Sequence, residues 1–145
     1  MAEYRLFEGD VPYVSTAEFH ADRERAPHLE QAFHRERLER AAQFVRLVTD
    51  RQPSRDRTVS DLGCGDGGLL SLLRDPGGIE AWGYDFCPAN EAGWIERGVN
   101  GTALDVFGSD WDDVDIGAVV VMTEVLEHLA DPHGVLRRIR ERGAR

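Results

Sequence analysis

Two different hydrophobic periodicities divide the chain. Between Pro27 and Val48, Leu29, Phe33, Ala41, Phe44, Val45 and Val48 recur near helical spacing, with Arg35, Glu36, Glu39, Arg40 and Arg46 on the remaining positions. This predicts an amphipathic helix. Ahead of it, Ser15-Thr16-Ala17-Glu18 has the form of a capping box, Ser15 being the cap and Glu18 standing three residues on. Residues 1–57 therefore read as a helical segment. Arg51-Gln52-Pro53-Ser54-Arg55-Asp56 is polar, contains a proline, and reads as a connector.

From residue 58 short apolar runs alternate with helical stretches. Thr58–Leu62 predicts a strand ending in a glycine-rich turn, and Leu69–Leu73 opens a helix that Asp75-Pro76-Gly77-Gly78 stops. Ile79–Asp85 predicts a second strand, followed by a helix around Asn90–Arg97. Gly101–Leu104 is the third strand and Asp115–Met122, the most apolar, the fourth. Helical turns are expected over Glu124–Leu129 and His133–Arg142. Such alternation argues for a parallel α/β sheet over residues 58–145, behind the N-terminal helices.

Composition narrows the class. At 145 residues the chain has the length of one domain. Its longest uninterrupted apolar run, Ala118–Met122, is far short of the roughly 20 residues that span a bilayer. The first ten residues carry acids and no apolar stretch, so they do not read as a secretory signal. Cys64 and Cys87 have neither disulfide-framework nor metal-ligand spacing, which fits a reducing, cytoplasmic setting. All 17 basic residues are arginine and the net charge is -10. Residues 58–145 hold 16 of the 27 acids against 7 arginines, a balance that disfavours nucleic acid as a partner.

The most informative stretch is Asp61-Leu62-Gly63-Cys64-Gly65-Asp66-Gly67-Gly68. Glycines at a strand end let the backbone turn sharply and pass close to a ligand. The spacing is ambiguous by itself. Gly63, Gly65 and Gly68 satisfy the dinucleotide pattern G-x-G-x-x-G, which permits a nicotinamide-dependent oxidoreductase. Gly63, Gly65 and Gly67 satisfy G-x-G-x-G. Charge helps to choose, because carboxylates at Asp61 and Asp66 would repel a pyrophosphate and attract an ammonium or sulfonium.

With these residues in place the chain resembles the class I methyltransferases that use S-adenosylmethionine (SAM). The first motif is Asp61–Gly67; acids then fall at the end of the second strand (Asp85 in Gly83-Tyr84-Asp85-Phe86) and after the third (Asp105 in Ala103-Leu104-Asp105-Val106). A fourth, acid-led strand runs into Thr123-Glu124-Val125-Leu126-Glu127-His128-Leu129. The resemblance implies a Rossmann-like, doubly wound sheet and SAM as cofactor. It places the cofactor's amino-acid end over Gly63, Cys64, Gly65 and Gly67, with Asp61 drawing its ammonium directly or through water. Asp85 would receive the ribose hydroxyls, Phe86 and Val106 would lie beside the adenine, Asp105 would accept from the adenine amino group, and Thr123 and Glu124 would border the cofactor. The implied reaction is methyl transfer to an oxygen or nitrogen of a small molecule. The N-terminal helices, with Tyr13, Phe33 and Phe44, would form a lid or pack on the sheet.

On a helix, Glu124, Glu127 and His128 would project from one face, a set able to bind a divalent cation. The string is similar to those of quinone-type O-methyltransferases and of methyltransferases acting on small-RNA 3′ ends. No histidine follows His133 to complete a metal site, so no metal is expected. His128 is an alternative general base; the residues alone assign no catalytic group. The glycine turn is also similar to that of the MetW family. The class I fold has seven strands and four are counted here, so the chain is expected to be truncated after the fourth strand. A fragment of this kind is also compatible with a non-catalytic SAM-binding module. The alternative to a fragment is that the exposed edge of the fourth strand is covered by a homodimer partner, another chain or the N-terminal segment.

Overall fold

In the computed structural model, which describes residues 28–52, 56–74 and 78–143, four parallel strands lie in the order β3-β2-β1-β4. They are β1 (Thr58–Leu62), β2 (Glu80–Asp85), β3 (Asn100–Ala103) and β4 (Val119–Val121). Asp61 pairs in register with Gly83 of β2 on one side and Val121 of β4 on the other. The central strand thus carries the acid that precedes the glycine turn. The capping box at Ser15 and the aromatic Tyr13 lie outside the described residues.

Helices cover both faces. The alternation of β1 sends Val59 toward α1 (Ala32–Asp50) and α2 (Gly68–Leu73), where it meets Leu38, Ala42, Val45, Leu69 and Leu73. Leu62 points the other way, into a cluster with Tyr84, Val106, Trp111, Val114 and, from α4 (Pro132–Glu141), Val135 and Ile139. A third cluster under α3 (Glu91–Arg97) joins Trp94, Leu70 and Cys64. Burying each leucine or valine fully contributes about 1.5–3 kcal/mol.

Three local details differ from expectation. The stripe that α1 buries is Leu38, Ala42, Val45 and Thr49, at helical spacing, while Phe33 and Phe44 are 71% and 66% exposed. The chain ahead of β4 is clasped by side chains instead of extending the ladder, which shortens the strand to three residues. There the Ser60 hydroxyl donates to the Asp115 carbonyl and accepts from the Gly117 amide, both at 2.8 Å. The Thr58 hydroxyl accepts from the Ala118 amide at 2.9 Å. After β4, Glu124 adopts φ 57° and only Leu126–His128 form a short 3-10 turn, so Glu124, Glu127 and His128 do not share a helical face. The helix expected over His133–Arg142 is present as Pro132–Glu141, capped by the Asp131 carboxylate on the Gly134 amide.

Among the described residues β4 pairs with β1 alone. Beside its open edge runs an apolar groove of about 420 Å³, lined by Phe44 and Val48 of α1, Val120 and Met122, and Leu136 and Ile139 of α4.

Candidate cofactor site

The carboxyl ends of β1 and β2 converge on one turn. The amides of Gly63 and Cys64 both donate to the Tyr84 carbonyl, at 2.7 and 3.1 Å, which curls the chain off the end of β1. The Asp85 carboxylate then holds two loops together, accepting from the Gly65 amide and the Cys87 amide at 2.9 Å each. From beneath, the Trp94 indole N–H donates to the Gly65 carbonyl at 2.7 Å. Gly63, Gly65 and Gly67 all take positive φ, 81°, 54° and 79°.

Two side chains pack closely against this turn. A Cβ on Gly63 would meet the Val125 side chain at 2.5 Å, and one on Gly65 would meet the His28 ring at 3.1 Å. Glycine at these positions allows the segment behind β4 and the residues just ahead of α1 to approach the loop closely.

Between α1 and the turn a cavity of about 40 Å³ remains, room for a small charged group rather than for an adenosine. Its lining includes His28, Arg37, Asp61, Gly63, Gly65 and Thr123. Asp61 is 2% exposed, and its Oδ1 is buried with no hydrogen-bond partner. Burial, and then the neighbouring Asp85, push its carboxyl up to about 7. A buried acceptor without a donor is the mark of a place built for a ligand or an ordered water.

Asp66 behaves differently from Asp61. It is tied to the protein by the Arg97 guanidinium at 2.9 Å, by the His28 amide at 2.9 Å and by the His28 ring at 3.4 Å. Burial alone would raise its carboxyl, but the hydrogen bonds from His28 and Arg97 outweigh it and hold the group well below the usual carboxylate range. The negative character of the turn thus comes from Asp61 and Asp85, with Asp66 compensated in place.

The remaining expected residues fall in two groups. Cys64 is buried in the cluster beneath the turn, and burial pushes its thiol up, away from thiolate chemistry. Phe86 follows Asp85 and is half-buried; Thr123 lines the cavity. Asp105 closes its own turn, its carboxylate accepting from the Gly108 amide at 2.9 Å. Val106, 1% exposed, is a core residue packed with Leu62 and Tyr84, so its side chain presents no open surface to a ring. Glu124 is ion-paired with Arg37. Among the described residues no three His, Cys, Asp or Glu side chains form a group that could hold a metal ion.

Two lining residues had no signal in the sequence. Arg37 sits among the arginines of α1 and is set apart only by the helical phase that places it next to buried Leu38. His28 reaches Asp66 across 38 positions, a relationship without local pattern.

The sheet order is that of a Rossmann-like fold. A family model described as a methyltransferase domain matches residues 28–143, and the chain belongs to that family. Solved structures agree on the fold. The plantazolicin methyltransferase BpumL, in complex with SAH, superposes with a TM-score of 0.62 at 15% identity, over 77% of this chain and 44% of that one. BamL, the plantazolicin methyltransferase in complex with a triazolic desmethylPZN analog and SAH, gives 0.60 at 14% identity, over 86% and 46%. The sugar N-methyltransferase KedS8 from Streptoalloteichus sp ATCC 53650 gives 0.54 at 19% identity, over 98% and 53%. The chain spans about half the length of these proteins. A search of the curated proteins returns no significant match. Among the described residues no helix is long and apolar enough to cross a membrane.

Proposed function

We propose that this chain is the cofactor-binding part of a methyltransferase that uses SAM to methylate an oxygen or nitrogen of a small molecule. The observation that carries the reading is the orphaned Asp61 carboxylate, fully buried and opening on a cavity at the glycine turn. Bound SAM would supply an electrophilic methyl group on a sulfonium. Asp61 suits the cofactor's ammonium: a buried carboxyl that is hard to ionise alone becomes a stable anion when a cation enters beside it. Asp85 stands at the adjacent strand end, and each of its oxygens keeps a lone pair beyond the amide it accepts, which suits ribose hydroxyls. Phe86 follows it in the chain and is half-buried, an apolar ring of the kind that suits an adenine.

Methyl transfer needs the nucleophile, carbon and sulfur in line, so binding and orientation are the main tasks of this half of the site. That BpumL and BamL are plantazolicin methyltransferases and KedS8 a sugar N-methyltransferase supports a small-molecule acceptor. A nicotinamide dinucleotide suits the turn less well, because its pyrophosphate would lie against Asp61 and Asp85. Calorimetric titration with SAH and with NAD tests the reading. Binding of SAH, and its loss in Asp85→Ala, is expected; binding of NAD without SAH would refute it.

A further inference from the structure

His34 ties together two walls of the cavity beside the glycine turn. Its ring stacks on that of His28, the centroids 5.1 Å apart and the planes inclined by 27°. Its Nδ1 lies 2.8 Å from Nη2 of Arg37. His28 and Arg37 both line the cavity, so the His34 ring bridges them. A guanidinium has donors only, which makes His34 Nδ1 the acceptor and places the ring proton on Nε2. The contact therefore exists only while the imidazole is neutral.

The surroundings oppose a positive charge on this ring. Arg37 would become a like charge at hydrogen-bond distance. His34 is also the third residue of α1, at the positive end of the helix dipole, and no acid stands in the first turn. Phe33 meets the ring edge-on and offers no charge. Asp66 pulls the other way, but it is already engaged by His28 and, from α3, by Arg97. The acids behind Arg37 are Glu124, paired with it, Glu127 and, across the cavity, Asp61, and they hold the guanidinium rather than the ring.

We infer that His34 is a proton-sensitive brace: neutral, it clasps Arg37 to His28; protonated, it loses the guanidinium, and the first turns of α1 loosen from the glycine turn. Desolvation, then Arg37 and His28, hold its imidazole below the ordinary value, against the pull of Asp66. As pH falls the unfolded chain takes up this proton first. The brace's contribution to stability is thus complete above about 6.5 and is lost on acidification through the lower folded value. His28 acts in the opposite direction, because a proton on its ring strengthens its contact with Asp66. The loosening is therefore confined to His34, Arg37 and the helical turn they belong to. The device needs no bound ligand and is independent of the SAM reading.

Nuclear magnetic resonance of the full chain tests this from about pH 8 to about pH 5, the range in which imidazoles titrate. The His34 ring should titrate below the ordinary imidazole value, and the signal of the buried Arg37 Nε–H should shift with the same midpoint. Over that step, amide exchange at Glu36, Arg37 and Leu38, corrected for its intrinsic pH dependence, should quicken by about tenfold or more, the loss of one hydrogen bond from a charged group. Exchange at Val135 and Ile139 in α4 should stay unchanged. His34→Asn places an amide oxygen near the position of Nδ1 and takes up no proton, so the step at Arg37 should vanish. Asp61 and His28 titrate in both proteins, and a step that survives in His34→Asn would belong to them and overturn the inference. Should the variant not fold, the wild-type spectra decide alone. Titration of His34 with the Arg37 signal unmoved, or titration at or above the ordinary value, overturns it as well.

Discussion

Arg37 of α1 and Glu124 behind β4 are joined by an ion pair, so the N-terminal helix is tied to the turn that leaves the fourth strand. Glu124 holds φ 57°, a conformation that costs a side-chain-bearing residue about 1–2 kcal/mol. The two effects separate by substitution. Glu124→Ala removes the pair and keeps the strain; Glu124→Gly removes both. The glycine variant should be the more stable of the two by about 1 kcal/mol in urea unfolding. Equal stabilities would show that the angle relaxes without penalty.

Asp61 makes a prediction about pH. Its folded carboxyl titrates near 7, above the ordinary carboxylate value, because burial and Asp85 oppose its charge. Between about pH 4 and 7 the folded chain holds a proton that the unfolded chain has released, so this group's contribution to stability falls as pH rises. Measured as wild type minus Asp61→Asn, unfolding free energy should drop by on the order of 2–4 kcal/mol across that window and level off above it. A flat difference would mean that Asp61 is solvated. Asp66, held low by His28 and Arg97, acts with the opposite sign, giving stability that is present at neutral pH and lost on acidification.

Gly65→Val places a branched side chain where φ is 54° and where the His28 ring stands 3.1 Å from the first added carbon. The variant should lose SAH affinity by about tenfold or more and unfold about 1–2 kcal/mol more easily. Unaltered SAH binding would locate the cofactor away from this turn.

Ser60 clasps the segment before β4 with a fully buried hydroxyl that donates to the Asp115 carbonyl and accepts from the Gly117 amide. Ser60→Ala leaves the Gly117 amide and the Asp115 carbonyl short of a partner and should cost about 1–3 kcal/mol. Chemical denaturation measures it directly.

How much of this could be read from the residues depends on whether the cause is local. The strand–turn–helix alternation and the two acids at adjacent strand ends are local patterns, and Asp61 and Asp85 sit where period-two strands followed by glycine or a bend place them. Glu124, Glu127 and His128 illustrate the opposite case. Their spacing suits a helix, but β4 and the packing of Val125 against Gly63 turn the chain through a left-handed residue first. Asp105 has the spacing of a ligand residue and also closes its own turn onto Gly108. Arg37 and His28 acquire their places only through the docking of the N-terminal helix, which no short window of sequence contains.

The pairing of Asp61 with Val121 also bears on how the molecule is made. Its central strand gains its second neighbour from a segment sixty residues later, after β2, β3 and the helices between them. Until Val119–Val121 has left the ribosome, one flank of β1 has no ladder partner and Asp61 remains in contact with water. Closing so long a loop for three residues of pairing is slow relative to local helix formation. Sealing of the charged strand end should therefore be a late kinetic step, visible as delayed amide protection in β1 relative to α1, and the nascent chain is open to misassociation for that interval.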